Sequence, residues 1–84
     1  MKHETASSFW RRYHELPLPL QRLADKQFRL LAENPAHPSL QFKPVGRYWS
    51  ARVSEGYRAV AKKAGEDFVW FWIGRHDEYE RLIR

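Results

Sequence analysis

The chain has 84 residues, a formal net charge of +5 and no cysteine, which excludes a disulfide scaffold, a thiolate metal site and a cysteine nucleophile. We expect one small domain over residues 1–84, with a thin core to which large aromatic rings, 15% of the residues, contribute much of the buried area. No stretch approaches the roughly 18 apolar residues of a membrane-spanning helix, and the first residues lack an apolar run of signal-peptide length. The expected location is therefore the cytoplasm, and no membrane partner is expected.

Two helices are predicted in the N-terminal half. Residues 1–6 are polar and expected to be disordered, and Ser7 or Ser8 then caps a helix of about two turns. A longer helix follows over residues 18–33, because Pro19 falls in its first turn, where the missing N–H has no intrahelical partner. Together these segments form a helical hairpin that packs its apolar stripes on one face of a sheet.

The C-terminal half is predicted to form strands and a short terminal helix. The first strand begins near Leu40, and Pro44 makes it short or an edge strand because proline cannot donate to a ladder. The loop Ser54-Glu55-Gly56 joins the next two strands, since glycine adopts the positive φ that commonly ends a three-residue loop. Residues 68–73 are all apolar, as in a strand buried on both faces, and residues 77–84 form the helix, with acids first and arginines last.

The Ser54-Glu55-Gly56 loop sets a register in which Val53 faces Tyr57 and Arg52 faces Arg58. Like charges opposite each other are unfavourable, so we expect an acid beside the two arginines or an anion between them. The opposite face of these strands carries small residues that let the helices approach. The expected core face consists of Trp49, Ala51, Val53, Tyr57, Ala59 and Ala61.

The second hairpin turns near Ala64-Gly65-Glu66, and its register stays open. A two-residue turn at Ala64-Gly65 sends Phe68, Trp70 and Trp72 to the helix side. A three-residue loop reverses this arrangement and places both tryptophans beside the arginine pair.

Arginine and histidine side chains carry the candidate chemistry. Guanidinium groups bind phosphate through paired donors and stabilise charge that develops in a transition state; the alternative for Arg52 and Arg58 is a solvated sheet face. His76 directly follows the last strand, and histidine transfers protons near neutral pH, although lone histidines are more often structural or solvated. The four histidines are scattered, so we expect no metal and no cofactor. Six basic residues against one acid over residues 43–63 favour a polyanionic partner.

Three segments follow one another in the sequence: HPSLQFKPVG, WSARVSEGYRAV and WFWIGRHDEYERLI. In order and spacing they resemble the C-terminal two-thirds of the RelE/ParE superfamily of toxins from type II toxin–antitoxin systems. The branch with a Gly-x-His-x-x-Tyr ending is the most similar, represented here by Gly74, His76 and Tyr79. The resemblance covers about residues 17–83. It implies an α+β fold, with a two-helix hairpin on one face of a three- to four-stranded antiparallel sheet and a short C-terminal helix.

The resemblance also implies a function. RelE-like members cut messenger RNA on the ribosome without a metal, the ribose 2′-hydroxyl attacking the adjacent phosphate, whereas ParE-like members inhibit DNA gyrase. By position, Arg58 would stabilise the transition-state phosphate, His76 would act as general acid or base, and Arg52 would support the phosphate. Candidate RNA-binding residues are Lys43, Arg47, Lys62, Arg75 and Tyr79.

The implied partners are a cognate antitoxin protein, the ribosome and messenger RNA. A ParE-like gyrase inhibitor and an inactive relative that only binds an antitoxin are the alternatives. Typical members begin with a strand ahead of the helical hairpin, whereas residues 1–8 here are short and polar. We therefore predict a sheet without this edge strand, whose open edge pairs with an antitoxin segment or with a second copy in a homodimer.

Overall fold

A computed structural model describes residues 2–84. Three α-helices pack on one five-stranded mixed sheet, which confirms the predicted α+β class and the helical hairpin. The predicted three- to four-stranded antiparallel sheet is wrong, because an N-terminal strand adds to it in parallel. A 3₁₀ turn, Pro38–Leu40, stands where the first antiparallel strand was predicted to begin. The elements are β1 (His3–Thr5), α1 (Ser7–Glu15), α2 (Leu18–Glu33), β2 (Lys43–Val45), β3 (Tyr48–Ser54), β4 (Tyr57–Ala64), β5 (Asp67–Arg75) and α3 (His76–Ile83).

The N-terminal segment forms a strand, contrary to the prediction. β1 pairs in parallel with β5, His3 opposite Phe68, so the predictions that this edge strand is absent and that residues 3–5 are disordered are wrong. Met1 lies outside the described residues. The imidazole of His3 stacks on the ring of Phe68, with 5.4 Å between the ring centroids. Its Nδ1 accepts a hydrogen bond from Nε1 of Trp70 at 3.0 Å. One histidine therefore supplies the packing that this short polar strand otherwise lacks.

The start of α1 is fixed by the sheet rather than by a serine cap. Ala6 is the N-cap and no side chain caps the helix, so the predicted cap at Ser7 or Ser8 is wrong. The backbone N–H of Ala6 donates to the carbonyl oxygen of Trp70 at 2.8 Å. The hydroxyl of Ser8 donates instead to the carbonyl oxygen of Phe71 at 2.8 Å. The chain therefore enters α1 while it is still bonded to β5.

The strand order β1-β5-β4-β3-β2 places β1 and β2 at the edges. β2 is three residues long and contains Pro44, as predicted for an edge strand. Beyond β1, the exposed edge of β5 is covered by α1, because Ser8 bonds the carbonyl of Phe71 and Nε of Arg12 donates to the carbonyl of Ile73, both at 2.8 Å. The edge that was predicted to be open is thus occupied by this chain itself.

The first hairpin has the predicted arginine pair and a different turn. Arg52 lies opposite Arg58, but Ser54, not Val53, lies opposite Tyr57, and the register shifts between residues 52 and 54. The turn therefore has two residues, and a bulge at Val53 supplies the extra residue. The predicted core face is confirmed: Ala51, Val53, Ala59 and Ala61 are buried, and Trp49 and Tyr57 pack against them.

A second bulge decides where the two tryptophans of β5 point. The turn is Gly65-Glu66, with Ala64 opposite Asp67, so neither predicted turn is observed. Ala61 pairs with Trp70 while Val60 pairs with Trp72, which leaves Phe71 as the extra residue. Trp70 consequently lies in the core at 0% exposure, whereas Trp72 lies on the opposite face, which also carries Arg58. Each of the two predicted registers placed one tryptophan correctly.

Candidate functional site

The candidate site lies on the sheet face opposite α1 and α2, where α3 crosses the strands. The backbone N–H of His76 donates to the carbonyl of Gly56 at 2.9 Å, which ties the start of α3 to the β3–β4 turn. Further along α3, the hydroxyl of Tyr79 donates to Oγ of Ser50 at 3.1 Å, and both residues are buried. These two bonds hold α3 beside an open pocket, which is lined by Lys43, Val45, Arg58, His76, Tyr79, Glu80, Ile83 and Arg84.

Arg58 is held on two sides and keeps one nitrogen unused. Its guanidinium lies over the ring of Tyr79, 5.5 Å from the ring centroid, and Nη2 donates to Oε1 of Gln41 at 2.6 Å. Nη1 is buried and has no hydrogen-bond partner among residues 2–84. A buried donor without a partner is costly, and an anionic acceptor satisfies a guanidinium especially well. The guanidinium of Arg58 lines the open pocket, but its Nη1 is closed to solvent in this arrangement.

His76 shares this pocket with Arg58, so both candidate residues lie on the same face. Its Nδ1 is 3.2 Å from Oε1 of Glu80, one helical turn later, and its side chain is 42% exposed. The imidazole also lies 5.6 Å from the ring of Tyr79. The partly exposed imidazole is accessible to a ligand in the pocket. The ring of Tyr79 thus contacts both Arg58 and His76.

Arg52 occupies the register position opposite Arg58, on the same sheet face. Its backbone carbonyl accepts from Nε2 of Gln27 at 2.9 Å, which fixes the strand at this point. Within residues 2–84, no carboxylate forms an ion pair with either arginine. The expected acid is therefore missing from the described part of the chain, and the neutral Gln41 contacts Arg58 instead.

The predicted RNA-binding cations are divided between two faces. Lys43 lines the pocket, whereas Arg47 and Lys62 lie outside it, over the rings of Tyr48 and Phe71 at 5.6 and 5.3 Å. Arg75 pairs with Tyr57, which packs against the core, so its side chain leaves the sheet on the opposite face. The structure thus brings Lys43 to Arg58 and separates Arg75 from it.

Tyr79, a candidate RNA-binding residue, lies in the wall of the pocket. It is 5% exposed, so its ring is not open for a nucleotide base to stack on it. Its ring supports Arg58 and its hydroxyl bonds Ser50. Tyr79 therefore positions other side chains in the pocket.

Sequence reasoning missed Gln41 and Ser50. Gln41 contacts a residue 17 positions away, and no local pattern signals that contact. Ser50 has a signal, because it is a polar residue between apolar neighbours in a strand and is 0% exposed. Over residues 2–84, no group of three or more histidine or acidic side chains is placed to hold a metal, and no helix is long and apolar enough to cross a membrane.

No protein-family model and no curated protein matches the sequence, but solved structures match its shape. A chain of the RelB-RelE antitoxin-toxin complex from Methanococcus jannaschii superposes with a TM-score of 0.73 at 10% identity, over 96% of this chain and 99% of that one. The YoeB/ParE toxin from Agrobacterium tumefaciens superposes with a TM-score of 0.66 at 18% identity, over 90% of this chain and 99% of that one. The chain has the RelE/ParE-like toxin fold. The isolated RelE toxin of E. coli has the same fold, with a TM-score of 0.62 at 14% identity over 95% of this chain and 93% of that one. This RelE/ParE-like fold is the one that the sequence resemblance implied.

Proposed function

We propose that this RelE/ParE-like protein is the toxin of a toxin–antitoxin pair and an endoribonuclease that cuts messenger RNA on the ribosome. The observation that carries the proposal is the convergence of Arg58 and His76 on one open pocket. Arg58 contributes a guanidinium that no carboxylate pairs with among residues 2–84, and His76 contributes a partly exposed imidazole. Phosphoryl transfer needs these two groups, one to meet the charge and one to move the proton.

The reaction begins when the ribose 2′-hydroxyl attacks the adjacent phosphate. The 2′-oxygen forms a bond to phosphorus and loses its proton, while the bond from phosphorus to the 5′-oxygen of the next nucleotide breaks and that oxygen gains a proton. His76 moves the proton, because its partly exposed imidazole lines the same pocket. Arg58 binds the phosphate oxygens through its guanidinium, which lines the pocket. The products are a 2′,3′-cyclic phosphate and a 5′-hydroxyl, and the reaction as proposed requires no metal.

The cations around Arg58 guide the RNA backbone. Lys43 and Arg84 line the pocket, and Arg52 is the register neighbour of Arg58. Arg47 and Lys62 extend the positive charge along the same face, each above an aromatic ring. Phosphate contacts of this kind position a strand without reading its bases. Specificity for the message then comes from the ribosome that presents it in the cytoplasm.

An antitoxin protein is the proposed partner that silences this activity. Two matching structures, from Methanococcus jannaschii and E. coli, come from antitoxin-toxin complexes of RelB and RelE. An acidic protein encoded next to this chain would complement its net charge of +5. A homodimer through a sheet edge is possible only at β1 or β2, since the remaining edge of β5 is covered by α1.

The test is to induce the wild type and the Arg58→Ala/His76→Ala double variant in cells, following growth, translation and transcript integrity. The wild type is expected to arrest translation and to leave cleaved messages. Loss of either group costs about 10²-fold or more in rate, so the double variant is expected to be harmless. Arg75→Ala is the matched control, because it removes an exposed arginine that lies on the opposite face.

Equal arrest by the double variant would show that the assignment of Arg58 and His76 is wrong. Intact transcripts with induced DNA-damage signalling would instead identify a gyrase inhibitor. Binding of a neighbouring antitoxin without any effect on growth would identify an inactive relative. Each outcome therefore separates the endonuclease from one of its alternatives.

A further inference from the structure

Gln41 has an unusual backbone conformation. Its φ is 44°, and it is the one non-glycine residue with a positive φ among residues 2–84. This region is unfavourable for a residue that has a Cβ. The 3₁₀ turn before it imposes the conformation: Leu40 is 0% exposed, and the N–H of Gln41 donates to the carbonyl of Pro38 at 3.3 Å. Strain of this kind persists where the surrounding structure requires it, and it occurs often at functional sites.

The left-handed turn at Gln41 coincides with a contact to the pocket. Oε1 of Gln41 accepts from Nη2 of Arg58 at 2.6 Å, while the ring of Tyr79 lies against the same guanidinium. These two contacts fix the guanidinium from its edge and from its face. They leave Nη1 as the buried nitrogen without a partner among the described residues.

The chemistry of an amide suits this contact. An amide oxygen accepts a hydrogen bond without carrying a charge, so Arg58 keeps its full positive charge for a phosphate. A carboxylate in the same place would form a charge-assisted pair and neutralise it. We infer that Gln41 is a positioning residue, which holds the guanidinium of Arg58 in the pocket for the scissile phosphate through a neutral hydrogen bond. This inference rests on the proposed function.

Two variants separate positioning from folding. Gln41→Gly removes the side chain and also relieves the left-handed strain, so its melting temperature is expected to stay the same or rise. Its maximal rate of message cleavage on programmed ribosomes is expected to fall about 10- to 100-fold, because a misplaced group loses rate at unchanged binding. Gln41→Glu keeps the size of the side chain and is expected to lose at least as much. Asn34→Asp, an exposed change of the same charge at the end of α2, is the control.

Single-turnover cleavage at saturating protein is measured for these variants and for Arg58→Ala, together with the protein concentration that gives half of the maximal rate. For the two Gln41 variants, we expect the maximal rate to fall and the half-saturating protein concentration to change little. If Arg58→Ala is slow while both Gln41 variants cut as fast as the wild type, the inference is overturned and the proposed function stands. If Arg58→Ala cuts as fast as the wild type, the proposed function is wrong.

A direct readout keeps the positioning claim independent of activity. Nitrogen-15 NMR of the Arg58 side chain is expected to show slow guanidinium rotation in the wild type and fast rotation in Gln41→Gly. Fast rotation in both proteins would overturn the inference, whatever the cleavage assay gives.

Discussion

The buried hydrogen bond between Tyr79 and Ser50 is expected to stabilise the fold without taking part in chemistry. Tyr79 is 5% exposed and Ser50 is 0% exposed, and the hydroxyl-to-hydroxyl distance is 3.1 Å. Tyr79→Phe leaves Oγ of Ser50 without its donor, which costs about 1–3 kcal/mol. For a domain of this size, each kcal/mol lowers the melting temperature by about 4–8 °C. Ser50→Ala is expected to lower the free energy of unfolding by about as much, because it leaves the buried Tyr79 hydroxyl without its acceptor.

A double-mutant cycle measured by urea unfolding tests this expectation. The Tyr79→Phe/Ser50→Ala protein removes both polar groups together, so it is expected to be about 1 kcal/mol or more stable than the sum of the two single losses predicts. Toxicity is expected to survive in Tyr79→Phe, because the phenyl ring still supports Arg58 and His76. Strict additivity of the two substitutions, or a loss below about 0.3 kcal/mol in each single variant, would refute the reasoning.

Two further substitutions probe the sheet. Gly74→Ala is expected to lower the free energy of unfolding by about 1–3 kcal/mol, since a new Cβ would lie 2.7 Å from Cζ2 of Trp72. Gly56→Ala is the control, because a Cβ at Gly56 meets no atom within 4 Å. Equal losses of the two variants in urea unfolding would contradict the packing argument. Burial lowers the pKa of His3 below 6.5, so the unfolded chain binds its proton first, and the free energy of unfolding is expected to fall as the pH drops below about 6.5. His3→Gln, unlike the exposed control His14→Gln, is expected to flatten this dependence, and an unchanged slope would count against it.

Local patterns predicted much of the fold. The bounds of α2 follow from apolar periodicity. The pairing of Arg52 with Arg58 and the core face are as predicted, but the predicted positive φ at Gly56 is not observed, and the bulge at Val53 offsets the shorter turn. The strand β1 could not be predicted in this way, because its stability comes from contacts between His3 and the distant residues Phe68 and Trp70. Pairing with a remote strand leaves no local signal in a polar segment.

The bulges limited the prediction of the sheet faces. A period-two pattern assigns a face only while each residue has one partner. The extra residues Val53 and Phe71 break that correspondence, and the second of them moves Trp72 to the face opposite Trp70. Packing across the whole sheet determines such insertions, and the residues near the turn do not reveal them.

The site could be predicted in part. Arg58, His76 and Lys43 line one pocket, although their roles stay predictions. Arg75, also predicted to bind RNA, pairs with Tyr57 and leaves the sheet on the other face. The contact of Gln41 depends on its left-handed backbone, which a sequence without a glycine at that position does not indicate.

The most direct test of the proposed site is the end-group chemistry of message cleaved by the purified protein on programmed ribosomes. We expect the wild type to produce fragments with 2′,3′-cyclic phosphate and 5′-hydroxyl ends, and the Arg58→Ala and His76→Ala proteins to produce them at least about 10²-fold more slowly. Intact message with the wild type, or equal cleavage by all three proteins, would contradict it.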